Sequence, residues 1–149
     1  MDLYQTYQTV YKFIKAEPDY QYKLMVGTDS QAGQEEIMFV TAIVIYRVGR
    51  GGRFFYRKKS EKIRISMKQR IFFEVSKSLE IASKLTGFLA DQEDLIEDFR
   101  VEIHVDVGEK GPTSAIIKEV TGMVVGSGYK ALIKPESYVA STVADKFTK

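Results

Sequence analysis

Two apolar stretches of this sequence each run into an aspartate. KLMVGTDSQ (23–31) is a buried-strand pattern that stops at Thr28, Asp29, Ser30 and Gln31, and VEIHVDVG (101–108) is an alternating pattern that ends in Asp106. Asp is among the poorest strand formers, so here it either turns the chain or carries a charge that is used. What the chain lacks narrows that use. Among its 149 residues there is no Cys and one His, His104. Disulfides, zinc–thiolate sites and thiol catalysis are therefore excluded, and Ser-His-Asp chemistry would rest on His104 alone. A site built from two or three histidines cannot form within one chain. Any metal must be held mainly by oxygen, which points to magnesium, manganese or calcium.

The elements that must position these acids are legible from periodicity. LYQTYQTVYKFIK places Leu3, Tyr7, Val10, Tyr11 and Ile14 on one helical face, and Pro18 ends it. The strand at 23–29 follows, then IMFVTAIVIYRV (37–48) and RFFYRKKSEKI (53–63), two β-rich runs around Gly49-Arg50-Gly51-Gly52 that predict an antiparallel hairpin. Ser66 is a cap for a long helix, MKQRIFFEVSKSLEIASKL, with Met67, Ile71, Val75, Ala82 and Leu85 near one face. After VEIHVDVG, Gly-Pro-Thr opens a helix that stops near Gly126 and Gly128. Tyr129–Ile133 is a short strand, and Pro135 or Ser137 starts a last helix, ESYVASTVADKF.

Strands alternating with helices after a meander predict a mixed sheet with right-handed parallel crossovers. With the first and fourth strands side by side, the hairpin beyond one and the fifth strand beyond the other, the expected order is 3-2-1-4-5. The order reverses between strands one and four, and the crevice at such a reversal lies where Asp29 and Asp106 sit. His104 lies two residues upstream of Asp106 on the same strand face, deeper under the sheet, and is expected to be a satisfied structural residue.

The hydrophobic content of 44% and charged content of 28% fit one globular domain spanning residues 1–149. The longest apolar run, residues 37–46, is too short for a membrane helix, and no secretory signal pattern is visible, so the expected location is the cytoplasm. The net charge is only +2, but residues 47–70 carry ten Lys or Arg against Glu61 alone. Residues 91–98 carry five acids, Asp91, Glu93, Asp94, Glu97 and Asp98. Such asymmetry suits a polyanionic partner, DNA or RNA, with Arg57, Lys58 and Lys59 as candidate phosphate contacts; a solvated hairpin and helix start is the other reading.

VGTDSQ, RIFFE, HVDVG and ASTVADK, in that order and on those elements, resemble the ribonuclease H-like superfamily, and specifically the YkuK-type predicted nuclease family. The resemblance covers nearly the whole chain after the first helix. It implies a ribonuclease H-like five-stranded mixed sheet flanked by helices, with an extra N-terminal helix here. It also implies a nuclease that binds two magnesium ions, or manganese, through Asp29, Glu74, Asp106 and Asp145. In-line phosphodiester hydrolysis uses two metals roughly 4 Å apart, one to activate water and one to stabilise the leaving oxygen.

Read as residues, these acids keep alternatives. Asp29 competes as a turn residue, although Thr28, Ser30 and Gln31 suit a crevice edge. Glu80 competes with Glu74, but sits further along the helix, and either is consistent with a solvated face. Asp145 follows the small Ala140 and Ala144, which permit close approach to the sheet, but near Lys149 it could equally be solvated. The chain departs from the family in having no histidine before the last helix and no basic insertion before the fifth strand. A non-catalytic nucleic-acid-binding or scaffold domain of the same fold is the competing function. An actin-like sugar kinase would need two such domains, and the paired acids of a receiver domain are absent.

Overall fold

The structure, a computed structural model, describes residues 2–92, 100–111 and 114–148. The acids Glu93, Asp94, Glu97 and Asp98 and the expected helix start at Pro112-Thr113 lie outside the described residues. Helix α1 (Leu3–Ala16) begins at a capping box, in which Asp2 accepts the Gln5 N–H at 2.9 Å and Gln5 Oε1 accepts that of Asp2 at 3.4 Å. Strands β1 (Tyr22–Ala32), β2 (Ile37–Arg47) and β3 (Gly51–Glu61) form the antiparallel meander. Gly49 and Gly51 take positive φ (81° and 98°) at the β2–β3 turn, a conformation that suits glycine. Helix α2 (Met67–Ala90) starts at Ser66, whose hydroxyl accepts from the Gln69 N–H. Then come β4 (Arg100–His104), a 3₁₀ turn at Ser114–Ile116, α3 (Ile117–Gly126) and β5 (Lys130–Leu132).

The sheet order is β3-β2-β1-β4-β5, with β1–β4 and β4–β5 parallel. This is the expected order. Strand alternation then gives β1 two working faces. Leu24 and Val26 join Ile43, Ile45 and Ile103 in a core closed by α1, α2 and α3. Met25 joins Val40 and Ala42 on the opposite face, covered by Val139 and Ala144 from the C-terminal segment. Among the described residues, no helix is long and apolar enough to cross a membrane.

Two local expectations are corrected. Met67 shares the face of Ile71 and Glu74 but, as the first residue of α2, is 54% exposed in the cleft that they line. The last helix is not a regular α-helix: Val139–Ala144 is a π-helical segment followed by a 3₁₀ turn at Asp145–Phe147. Its neighbours account for this. Val139 donates its N–H sideways to His104 Nδ1 at 3.2 Å. The Ala140 backbone N sits 2.6 Å from where a Cβ on Gly27 would be, so the segment lies directly on the strand.

Candidate functional site

The β1–β4 register carries the site. Gly27 pairs with His104 at the end of β4, so two residues further on Asp29 and Asp106 come level, both on the face that carries the C-terminal segment. Although β4 stops at His104, the chain stays tied to the sheet: Val105 donates to Leu132 O and Lys134 to Val107 O, each at 2.8 Å. This tether also delivers the Lys134 side chain, whose Nζ is 3.0 Å from Asp106 Oδ1 but not aligned for a hydrogen bond.

Asp29 is 7% exposed. It hydrogen-bonds to Asp145, and Thr148 Oγ1 donates to its Oδ2 at 3.3 Å. Two carboxylates bonded to each other require a proton between them. Burial, that bond and the charge of Asp106 push the Asp29 pKa up to about 7, partly offset by the Ser30 backbone N–H.

On the other face, Thr28 and Ser30 meet Ser78 and Glu74, residues one turn apart on α2. The Thr28 and Ser78 hydroxyls are 2.7 Å apart, and Ser30 Oγ donates to Glu74 Oε2 at 2.5 Å. Arg70, one turn before Glu74, gives Nε to Ser30 Oγ at 3.1 Å and Nη2 to Ser30 O at 3.0 Å. Glu74 is 5% exposed, and its Oε1 is buried with no hydrogen-bond partner. Burial pushes its pKa up to about 8, with the charges of Asp29 and Asp106 adding and the Ser30 hydroxyl and Arg70 opposing. Glu80, the competing acid, is exposed and pairs with Lys84 at 2.9 Å.

Asp29, Glu74 and Asp106 line one cleft of about 220 Å³ together with Met67, Ile71 and three cations, Arg70, Lys110 and Lys134. The oxygen donors and the orphaned Glu74 Oε1 fit a hard divalent ion. The acids are not, however, drawn into a closed ligand set: among the described residues, no group of three or more His, Cys, Asp or Glu is arranged to hold a metal ion. Glu74 bonds Ser30 on one face while Asp29 and Asp145 meet on the other. A proton at Asp29 and the Lys134 ammonium at Asp106 balance charge in their place.

His104 is 1% exposed and has partners at both ring nitrogens, accepting from Val139 at Nδ1 and meeting Glu102 Oε1 at 3.1 Å through Nε2. Burial lowers its pKa against the pull of Glu102, which fits a neutral ring donating from Nε2. It is buried with both ring nitrogens satisfied, as expected. The basic run at 47–70 reaches the acidic cleft through Arg70. None of Arg57, Lys58 and Lys59 lines the acidic cleft. Arg57 and Lys59 lie toward α2, in a hollow with Lys77 and Lys84, and the alternating Lys58 faces the other way. Of the cations that line the cleft, Lys110 and Lys134 were not singled out from sequence. Arg70 had a usable signal, its i,i+4 spacing from Glu74; Lys134 had none, because the tether that brings it to Asp106 is tertiary.

The raised acids make metal-free stability fall with pH. Folded Asp29 and Glu74 keep protons that the unfolded chain releases near 3.8 and 4.5. Their contribution to stability is thus full below about pH 4 and declines as pH rises to about 7 for Asp29 and about 8 for Glu74, by up to about 1.4 kcal/mol per unit for each group. In chelator, urea melts of Glu74→Gln should show a flatter decline than the parent between pH 5 and 8. Equal slopes would mean that Glu74 is not held protonated.

The fold and these acids can now be set beside known proteins. The sequence matches the Ribonuclease H-like family over residues 5–149. The chain belongs to the ribonuclease H-like family. It is also 36% identical over 146 residues to the Bacillus subtilis (strain 168) protein named "Uncharacterized protein YkuK", across 92% of this chain and 85% of that one. No solved structure matches it significantly. Strand order, flanking helices and the N-terminal helix agree with a ribonuclease H-like fold.

Proposed function

We propose that this ribonuclease H-like chain is a divalent-metal-dependent nuclease that hydrolyses phosphodiester bonds of DNA or RNA. The observation that carries the reading is the convergence of Asp29, Glu74 and Asp106 on one cation-rimmed cleft, with Asp145 bonded to Asp29. Asp29, Asp106 and Asp145 from one sheet face and Glu74 from the other would hold Mg²⁺ or Mn²⁺. When bound, the ions supply a lowered pKa for water and charge stabilisation at the leaving oxygen. The chain's own residues do the rest. Asp29 gives up the proton it shares with Asp145, Arg70 keeps Ser30 and Glu74 in place, and Lys110 and Lys134 offset the repulsion between a phosphate backbone and the acids. Water adds at phosphorus and the P–O3′ bond breaks, one water proton passing to O3′, to leave a 3′-hydroxyl and a 5′-phosphate.

The test is cleavage of labelled DNA and RNA. Magnesium or manganese should be required, the product should carry a 5′-phosphate, and calcium should bind while supporting little turnover, because its looser coordination positions water poorly. Robust cleavage in excess chelator would refute the mechanism. The second reading, a non-catalytic nucleic-acid-binding or scaffold domain, is favoured by the lack of a closed ligand set among the described residues. Binding without cleavage under any of these metals would decide for it.

A further inference from the structure

The edge strand β3 is exposed along nearly its whole length and carries large apolar side chains in the open: Phe54 is 51% and Tyr56 43% exposed. Both stand on the C-terminal-segment face and meet Phe147. The Tyr56 and Phe147 rings stack with centroids 3.9 Å apart and planes 11° apart, and Phe54 lies 6.0 Å from Phe147. Cations are interleaved with these rings. Lys58 follows on the same strand face, and Lys146 Nζ is 5.9 Å from the Phe147 ring centre. A hollow of about 640 Å³ along the strand is lined by Phe54, Phe55, Tyr56, Arg57 and Lys58, with Asp2 from the start of α1.

We infer that Phe54, Tyr56 and Phe147 form a stacking platform for the unpaired bases of a single-stranded nucleic acid, whose phosphates are held by Lys58 and Lys146. Exposed rings offer π-faces to any base, and neighbouring cations neutralise the backbone without reading sequence. The charge also argues against a second copy of this chain on the same edge, since a strand carrying Arg57, Lys58 and Lys59 repels its like. The platform is joined to the acids: Phe147 lies between Asp145, which bonds Asp29, and Thr148, which donates to it. A strand on the rings therefore lies beside the cleft. This makes unpaired strands the substrate class and, to that extent, rests on the nuclease reading.

Fluorescence anisotropy in chelator, with cleavage switched off, tests the platform on a labelled oligothymidylate and a duplex of the same length. Tyr56→Ala should weaken single-strand binding roughly tenfold or more, the worth of about one stacked base. Tyr56→Phe should retain it, and duplex binding and the metal-induced rise in melting temperature should not move. Equal losses on both substrates, or no loss on either, would overturn the inference, as would sedimentation showing a dimer that Tyr56→Ala dissociates. The two readings fail separately. Platform-dependent binding without cleavage removes the nuclease alone, and cleavage of single strands indifferent to Tyr56 removes the platform alone.

Discussion

Asp29→Asn is expected to abolish the metal response of this protein while making the metal-free chain more stable at alkaline pH. Asp29 stands between the other acids: it bonds Asp145, lies level with Asp106 and adds its charge to the field at Glu74. An amide keeps the shape and the Thr148 contact but withdraws the anionic donor, so linkage between metal and folding should vanish. For the parent, saturating magnesium or manganese at a hundred times Kd would add about 2.7 kcal/mol of stability. Cleavage should fall by more than about 100-fold, since even residues behind the ligands of a metal site cost 10- to 100-fold. In chelator above pH 7 the sign reverses. The parent must then hold an ionised Asp29 against Asp106 and Asp145, whereas the variant has no charge there to repel, so it should melt higher. Below about pH 4 the two should converge, because Asp29 is protonated both folded and unfolded. Glu80→Gln, on the exposed face of α2, is the control and should leave the metal response intact. A metal-induced rise that survives in Asp29→Asn would remove Asp29 from the site.

Gly27→Ala should be strongly destabilising and should also loosen the site. The added Cβ would lie 2.6 Å from Ala140 N, 2.9 Å from its Cα and 3.0 Å from its Cβ. Two of these atoms are backbone, so the C-terminal segment must lift rather than rotate a side chain. Val139, Ala140 and Ala144 are wholly buried beneath that contact. Overpacking of this kind costs about 1–3 kcal/mol, and at this size each kcal/mol lowers the melting temperature by about 2–4 °C. Lifting the segment also carries Asp145 away from Asp29, so metal stabilisation should weaken beyond the loss of fold stability. Gly122→Ala in α3 meets nothing within 4 Å and should be neutral or slightly stabilising. Equal melting temperatures for the Gly27 and Gly122 variants would show that the segment does not need this close approach.

Much of this protein is local and therefore written in its sequence. The lack of Cys and the single His confine any metal to oxygen donors, whatever the fold. Ser66 with Gln69 starts α2 through hydrogen bonds made within four residues, and the glycines at 49 and 51 set the hairpin. Hydrophobic periodicity separates strands from helices, and handedness then leaves few sheet orders, of which 3-2-1-4-5 is the one observed. The same pattern put Asp29 and Asp106 at strand ends, whereas β1 runs on to Ala32 with Asp29 paired to Val40, and β4 stops at His104. Only tertiary structure decided how the acids meet, because electrostatics depends on which faces and burial the fold assigns them. It chose Glu74 over Glu80 as the cleft acid by docking Ser78 and Glu74 against Thr28 and Ser30. It turned the last helix into π and 3₁₀ turns by giving Val139 N–H to His104 and pressing Ala140 onto Gly27. Packing also brought Lys134 to Asp106. None of these is a property of neighbours in the chain: each is a contact between distant segments whose geometry exists only after the sheet has closed.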